Sequence, residues 1–208
     1  VTLDQVYWRG LPDREEAGSP NVVGAVAMAV AAQELMAMGM DHIARQESEL
    51  TAYALRQLQT VPGLTLYGER DWRRPHERTG VIPFNLAGIP HGLVAAILGY
   101  EGGIGVRNGC FCAHPYVVHL LGLTEQEQSF WRWEALAGDK SHMPGMVRIS
   151  LGHTTTRSDI DRLVAMLRRI VRGDYEGRYR VDPKTGDYAP EGCRDRFVDH
   201  FSLSSEQH

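Results

Sequence analysis

Cysteine is scarce in this sequence. The three residues Cys110, Cys112 and Cys193 among 208 are too few and too unevenly spaced for a disulfide framework. An odd, small number points to a reducing compartment, and a cytoplasmic location is the expectation. Long apolar runs are lacking too. Residues 22–38 come closest, but Gln33 and Glu34 interrupt a stretch already short of the roughly 18 residues that a membrane helix needs. An excess of positive charge is absent. The formal net charge of −4 argues against a nucleic-acid or anionic-membrane partner. The chain opens Val1-Thr2-Leu3-Asp4, without an initiator methionine or a basic leader, which argues against a signal peptide and for a processed or truncated product. No internal repeat or low-complexity segment is present.

What is present reads as globular. A 43% hydrophobic and 23% charged composition excludes disorder for the bulk of the chain. Ser19 followed by Pro20 is a capping pattern, and predicts a helix running to about Met38 and stopped by Gly39. Its faces are nearly all small and apolar, which predicts burial on several sides. Asp41 caps a second expected helix, ended by Val61-Pro62-Gly63. Leu64–Tyr67 reads as a short strand. Gly80–Leu86 reads as another, at an edge or a bulge because it carries Pro83. A helix over His91–Tyr100, a strand over Ile104–Arg107 and a helix over Pro115–Leu123 follow. Residues 124–145, with Trp131 and Trp133, read as an inserted loop or short helix. Met146–Leu151 alternates as a strand. Ser158 and Asp159 open a strongly amphipathic helix carrying Ile160, Leu163, Val164, Leu167, Ile170 and Val171. The tail after Gly173 is polar and reads as peripheral. Short strands mixed with helices give an α+β class: a small antiparallel sheet covered by helices and preceded by long helices.

Three stretches carry residues with chemical potential. The first is Gly103-Ile-Gly-Val-Arg107-Asn-Gly109-Cys110-Phe-Cys112-Ala-His114-Pro115. A cysteine on a loop beside an arginine and before a helix can react as a thiolate. Free cysteines are also commonly inert core residues. Alternating Cys110, Cys112 and His114 form a third option, three soft metal ligands on one side of a strand, although the spacing matches no familiar zinc pattern. The second stretch is Met146-Val-Arg148-Ile-Ser150-Leu-Gly152-His153. An arginine in an apolar strand needs a partner if its neighbours are buried, and its planar fork suits a substrate carboxylate; a structural salt bridge and a side chain snorkelling to the surface are the other two readings. The third is Glu16-Ala-Gly18-Ser19-Pro20-Asn21, where a hydroxyl at a helix start serves as a cap or as a phosphate contact.

In this order the three stretches resemble the pyridoxal-phosphate enzymes of the cysteine desulfurase/class V aminotransferase family, selenocysteine lyases included, over about residues 1–172. The resemblance implies the C-terminal domain of a fold-type I transferase. It implies residues 1–60 as the connection to a large domain, 61–173 as the small domain and 174–208 as a peripheral tail. Cys112 falls on the family's persulfide-forming cysteine, and Arg148 on the arginine that binds the substrate α-carboxylate. Ser19 replaces a threonine that reaches the cofactor phosphate of the neighbouring subunit in a homodimer. An amino-acid substrate and pyridoxal phosphate are therefore implied. The family's Schiff-base lysine lies in the large domain. Only Lys140 and Lys184 occur here, neither in a family-like context, so the expectation is that this chain alone is inactive and binds no cofactor.

Overall fold

The computed structural model describes residues 4–16 and 18–193. The chain divides into two compact units, residues 1–45 and 46–208, and each is taken by itself.

The first unit is dominated by helix α1, Val22–Met38. The cap is Asn21 rather than Ser19: the Asn21 side chain accepts a hydrogen bond from the Gly24 amide at 2.9 Å. Asparagine is among the strongest N-caps, and placing it there leaves Pro20 outside the helix. Gly39, at φ +86°, ends α1 as expected. The expected burial is not found, since no residue of α1 is buried. Helix α2, Met40–Leu58, starts before Asp41, so this aspartate lies in the first turn instead of capping it. The Gly39 carbonyl accepts from the amides of His42 and Ile43 in its place.

The second unit holds a four-stranded antiparallel sheet in the order β1-β2-β4-β3, formed by Leu64–Leu66, Val81–Leu86, Met146–Ser150 and Arg107–Gly109. Alternation puts Ile82, Phe84, Leu86, Val147 and Ile149 on the core face. They pack with Leu55 and Leu58 of α2, with Val94, Ile97 and Leu98 of α3 (His91–Tyr100), and with Ile160, Leu163, Leu167 and Ile170 of α6 (Arg157–Val171). The α+β class and the two covering helices are as the periodicity predicts. Pro83 is not at an edge: β2 pairs with both β1 and β4. The Pro83 carbonyl accepts from the Tyr67 amide at 3.1 Å, which directs its hydrogen-bonding edge toward β1. Pro83 has no N–H to return the bond, and the Tyr67 carbonyl accepts from the Arg78 guanidinium at 3.5 Å instead.

Three connections differ from the sequence reading. The ladder of β3 begins at Arg107, after Ile104 and Val106 have packed against the core in extended chain. Residues 125–136 form a full helix, α5, under a capping box between Thr124 and Glu127. Helix α6 is capped by Thr156 with Asp159, two residues ahead of Ser158. Helix α4, His114–Leu121, carries Pro115 in its first turn, where a missing N–H costs nothing.

The stretch after Gly173 folds back as a hairpin of β5 (Tyr179–Val181) and β6 (Tyr188–Pro190). Glu101, at the end of α3, anchors it by accepting from the Gly177 and Glu176 amides at 3.0 and 3.1 Å and from the Tyr179 hydroxyl at 3.0 Å. Burial pushes the Glu101 carboxyl up, but these hydrogen bonds outweigh it and hold the group below the usual carboxylate range. No single helix among the described residues is long and apolar enough to cross a membrane.

Candidate functional site

The cysteine segment is a tight turn at the end of β3. The Ala113 amide donates to the Cys110 carbonyl at 2.8 Å, closing the four residues Cys110–Ala113. Both central residues have positive φ, +52° at Phe111 and +59° at Cys112. This is the φ pattern of a type I′ turn, a conformation that asparagine and glycine adopt readily. For phenylalanine and cysteine it costs about 1–2 kcal/mol per residue. Strain of this kind persists only where surrounding contacts hold it, and it concentrates at working sites.

One such contact is visible. The Arg148 guanidinium lies 5.0 Å from the centre of the Phe111 ring, within the range of a cation–π interaction. Arg148 sits on β4, directly opposite Arg107 of β3 on one side and Pro83 of β2 on the other. Its Nε is buried without a hydrogen-bond partner, and it makes no ion pair among the described residues. An arginine left in this state has a full fork of donors ready for an anion. The structure thus brings Arg148 and the Cys112 turn together through Phe111. Of the two alternatives open at Arg148, a structural salt bridge is not made among the described residues.

The two thiols of the turn differ. Cys112 is exposed. Cys110 is half-buried, and its Sγ donates to the Pro144 carbonyl at 3.2 Å. Burial pushes the Cys110 thiol up, the reverse of an activated thiolate. Because the two sulfurs lie in such different surroundings, the alternation of Cys110, Cys112 and His114 does not become one ligand set. Among the described residues no three His, Cys, Asp or Glu groups are placed to hold a metal ion. Ser19 lies in the first unit and is exposed, and the cap role belongs to its neighbour Asn21. Lys140 and Lys184 are both exposed.

Cys110 also lines a cavity of about 470 Å³. His91 and Gly92 at the start of α3, the loop from Lys140 to Pro144, and the hairpin turn from Thr185 to Tyr188 complete its walls. His91 Nε2 stands 3.0 Å from the Met143 carbonyl, which makes that nitrogen the donor. Burial pulls the imidazole below its usual value, so it is neutral at pH 7. Sequence reasoning missed Phe111, His91 and the hairpin turn. A half-buried histidine opening an apolar helix is a weak signal, and a left-handed phenylalanine gives none. The hairpin turn had a signal in Asp182-Pro-Lys-Thr-Gly186-Asp, a turn composition between two tyrosine-bearing segments.

Known proteins give a consistent comparison. A cysteine desulfurase of Pectobacterium carotovorum is 40% identical over 161 residues, covering 77% of this chain and 33% of the relative. One from Escherichia coli is 36% identical over 165 residues, covering 79% of this chain and 34% of the relative. The chain therefore spans about a third of the length of these curated relatives. Among solved structures, the apo cysteine desulfurase of Thermococcus onnurineus superimposes with a TM-score of 0.64 at 28% identity, covering 83% of this chain and 37% of that one. The Escherichia coli cysteine desulfurase CsdA, as the S-sulfonic acid, gives 0.60 at 25% identity, covering 83% and 36%. Residues 1–163 match the family described as aminotransferase class-V. With this match over most of its length, and with the antiparallel sheet, covering helices and ordered motifs already described, the chain belongs to the class-V aminotransferase family.

Proposed function

We propose that this chain is the C-terminal domain of a pyridoxal-phosphate enzyme that removes sulfur or selenium from an amino acid, as a cysteine desulfurase or selenocysteine lyase does. Cys112 is the nucleophile that receives the sulfur, and Arg148 binds the substrate α-carboxylate. Ser19 reaches the cofactor phosphate of the neighbouring subunit in a homodimer, and the enzyme works in the cytoplasm. The observation that carries this reading is the pairing of a half-buried Arg148, whose Nε has no hydrogen-bond partner among the described residues, with a strained turn that holds Cys112 exposed.

The residues present do not by themselves fit pyridoxal phosphate. Both lysines are exposed, Lys184 on the hairpin turn and Lys140 on the loop at the cavity rim, and Ser19 offers a single exposed hydroxyl. The cofactor and its lysine are assigned to the rest of the enzyme, and this domain acts on the substrate instead. The Arg148 fork orients the carboxylate bidentately. The turn leaves Cys112 exposed, where a thiolate can reach a bound substrate. Residues 1–60 connect this domain to the remainder.

Replacing Cys112 by alanine in the whole enzyme tests this directly. Sulfide release from cysteine is abolished if Cys112 is the nucleophile. Unchanged release means that Cys112 is not the nucleophile, and transamination without sulfide release in either form assigns the domain to an aminotransferase in which Cys112 is incidental.

A further inference from the structure

Two cysteines lie within a single turn, Cys110 at its first position and Cys112 in its centre, and the fold gives them different surroundings. Cys112 is exposed, while Cys110 is half-buried in the wall of the cavity of about 470 Å³. That wall is tightly built. A Cβ added at Gly145 would stand 2.6 Å from the Gly109 Cα, and one at Gly186 would stand 2.7 Å from the Lys140 carbonyl oxygen. The Lys140 amide donates to the Pro183 carbonyl at 2.7 Å, so the loop before β4 and the hairpin turn hold each other. The hairpin lies beyond residues 1–163, the part that matches the family. A few hundred Å³ is the size of a small-molecule site rather than of a protein-docking surface.

The chain itself sets how far apart the two cysteines can be. Two residues span at most about 7 Å between Cα atoms. A tight turn keeps the two Cα atoms within that bound, which is compatible with the Cα separation of cysteines that react with each other. A persulfide on Cys112 adds one more sulfur of reach.

We infer that Cys110 takes the outer sulfur from a Cys112 persulfide and presents it inside this cavity to a small thiol. The inference rests on the reading of Cys112 as the residue that first receives sulfur. In the first step the Cys110 thiol loses its proton and its sulfur attacks the outer sulfur of the Cys112 persulfide. The Cys112–sulfur bond breaks, its electron pair stays on the Cys112 sulfur, and that sulfur takes up the proton. In the second step the thiolate of the small acceptor attacks the outer sulfur now on Cys110. The Cys110 thiolate leaves and takes the acceptor's proton, and the acceptor departs as a persulfide. Each step exchanges one sulfur–sulfur bond for another, so neither needs an oxidant or a reductant. The hydrogen bond to Pro144 and the burial of Cys110 keep it a thiol between transfers, and the first step therefore speeds up as pH rises.

The test uses the full chain with a limiting amount of inorganic polysulfide, which loads exposed thiols without an amino-acid substrate or a cofactor. Samples are alkylated at intervals, and the peptide bearing both cysteines is sequenced by mass spectrometry. The added sulfur is expected first on Cys112 and then on Cys110. In Cys110→Ser it stays on Cys112, and in Cys112→Ser it reaches Cys110 several-fold more slowly. Glutathione then discharges the wild-type chain faster than Cys110→Ser. Sulfur that never reaches Cys110, that reaches it equally fast in Cys112→Ser, or that glutathione removes equally fast from Cys110→Ser overturns the relay. Because loading bypasses turnover, these outcomes are separate from the sulfide-release assay that judges Cys112 itself.

Discussion

Helices α1 and α6 are both rich in apolar residues, and the fold treats them oppositely. Helix α6 buries Ile160, Leu163, Val164, Met166, Leu167 and Ile170 along one stripe. Helix α1 buries nothing, and Val23, Met28 and Met36 are among its exposed large side chains. The difference lies in pattern rather than content. Arginines and aspartates break the sequence of α6 at helical spacing, so one face meets the sheet and the other meets water. Residues 22–32 of α1 contain no charge at all, and no single stripe marks which side should be covered. An apolar helix without a polar face needs apolar surface around it, and apolar composition alone does not supply that surface.

The largest effect that separates the two helices comes from truncating equivalent side chains. Leu167→Ala empties a fully buried position and is expected to cost about 2–5 kcal/mol in chemical denaturation. Met28→Ala, at a site 72% exposed, is expected to stay within about 0.5 kcal/mol. Equal losses would break the comparison.

A smaller effect comes from the caps. Thr156 and Asp159 cap α6 reciprocally, and Thr156→Ala is expected to lower stability by about 1 kcal/mol. Asn21→Ala removes the cap of α1 and is expected to lower helical content, seen by circular dichroism. Unchanged helical content would show that this cap does not hold the helix.

The smallest effect is a pH dependence confined to the sheet-bearing unit. His91 has its folded value below the ordinary 6.5 because burial disfavours the charged ring. The unfolded chain therefore binds the proton first, and stability falls as pH drops below about 6.5 until the folded ring also titrates. In His91→Gln this part of the slope disappears from a denaturation series between neutral and mildly acidic pH. An unchanged slope would place the titration elsewhere.

Much of the sheet-bearing unit was legible because its signals are periodic. The stripe of α6 and the alternation of β4 each state which face is buried. Arg148 stood out for the same reason, as a charge at an otherwise apolar strand. The turn at Phe111 and Cys112 was not legible, because positive φ at two side-chain-bearing residues has no compositional mark. Neither was the docking of the final hairpin, since Glu101 grips amides 75 and 76 positions further along the chain. Pro83 misled because an isolated proline signals an edge; in the interior, the Arg78 side chain takes the place of its missing N–H at the Tyr67 carbonyl. Ser19 misled as a cap because Asn21, two residues later, does that work better.

The central claim is that Cys112 is the residue that first receives sulfur. The most direct measurement gives cysteine to the whole enzyme carrying Cys110→Ser, quenches it by alkylation and locates any added sulfur by mass spectrometry. The account predicts one sulfur on Cys112. Continued turnover with Cys112 unmodified would contradict it.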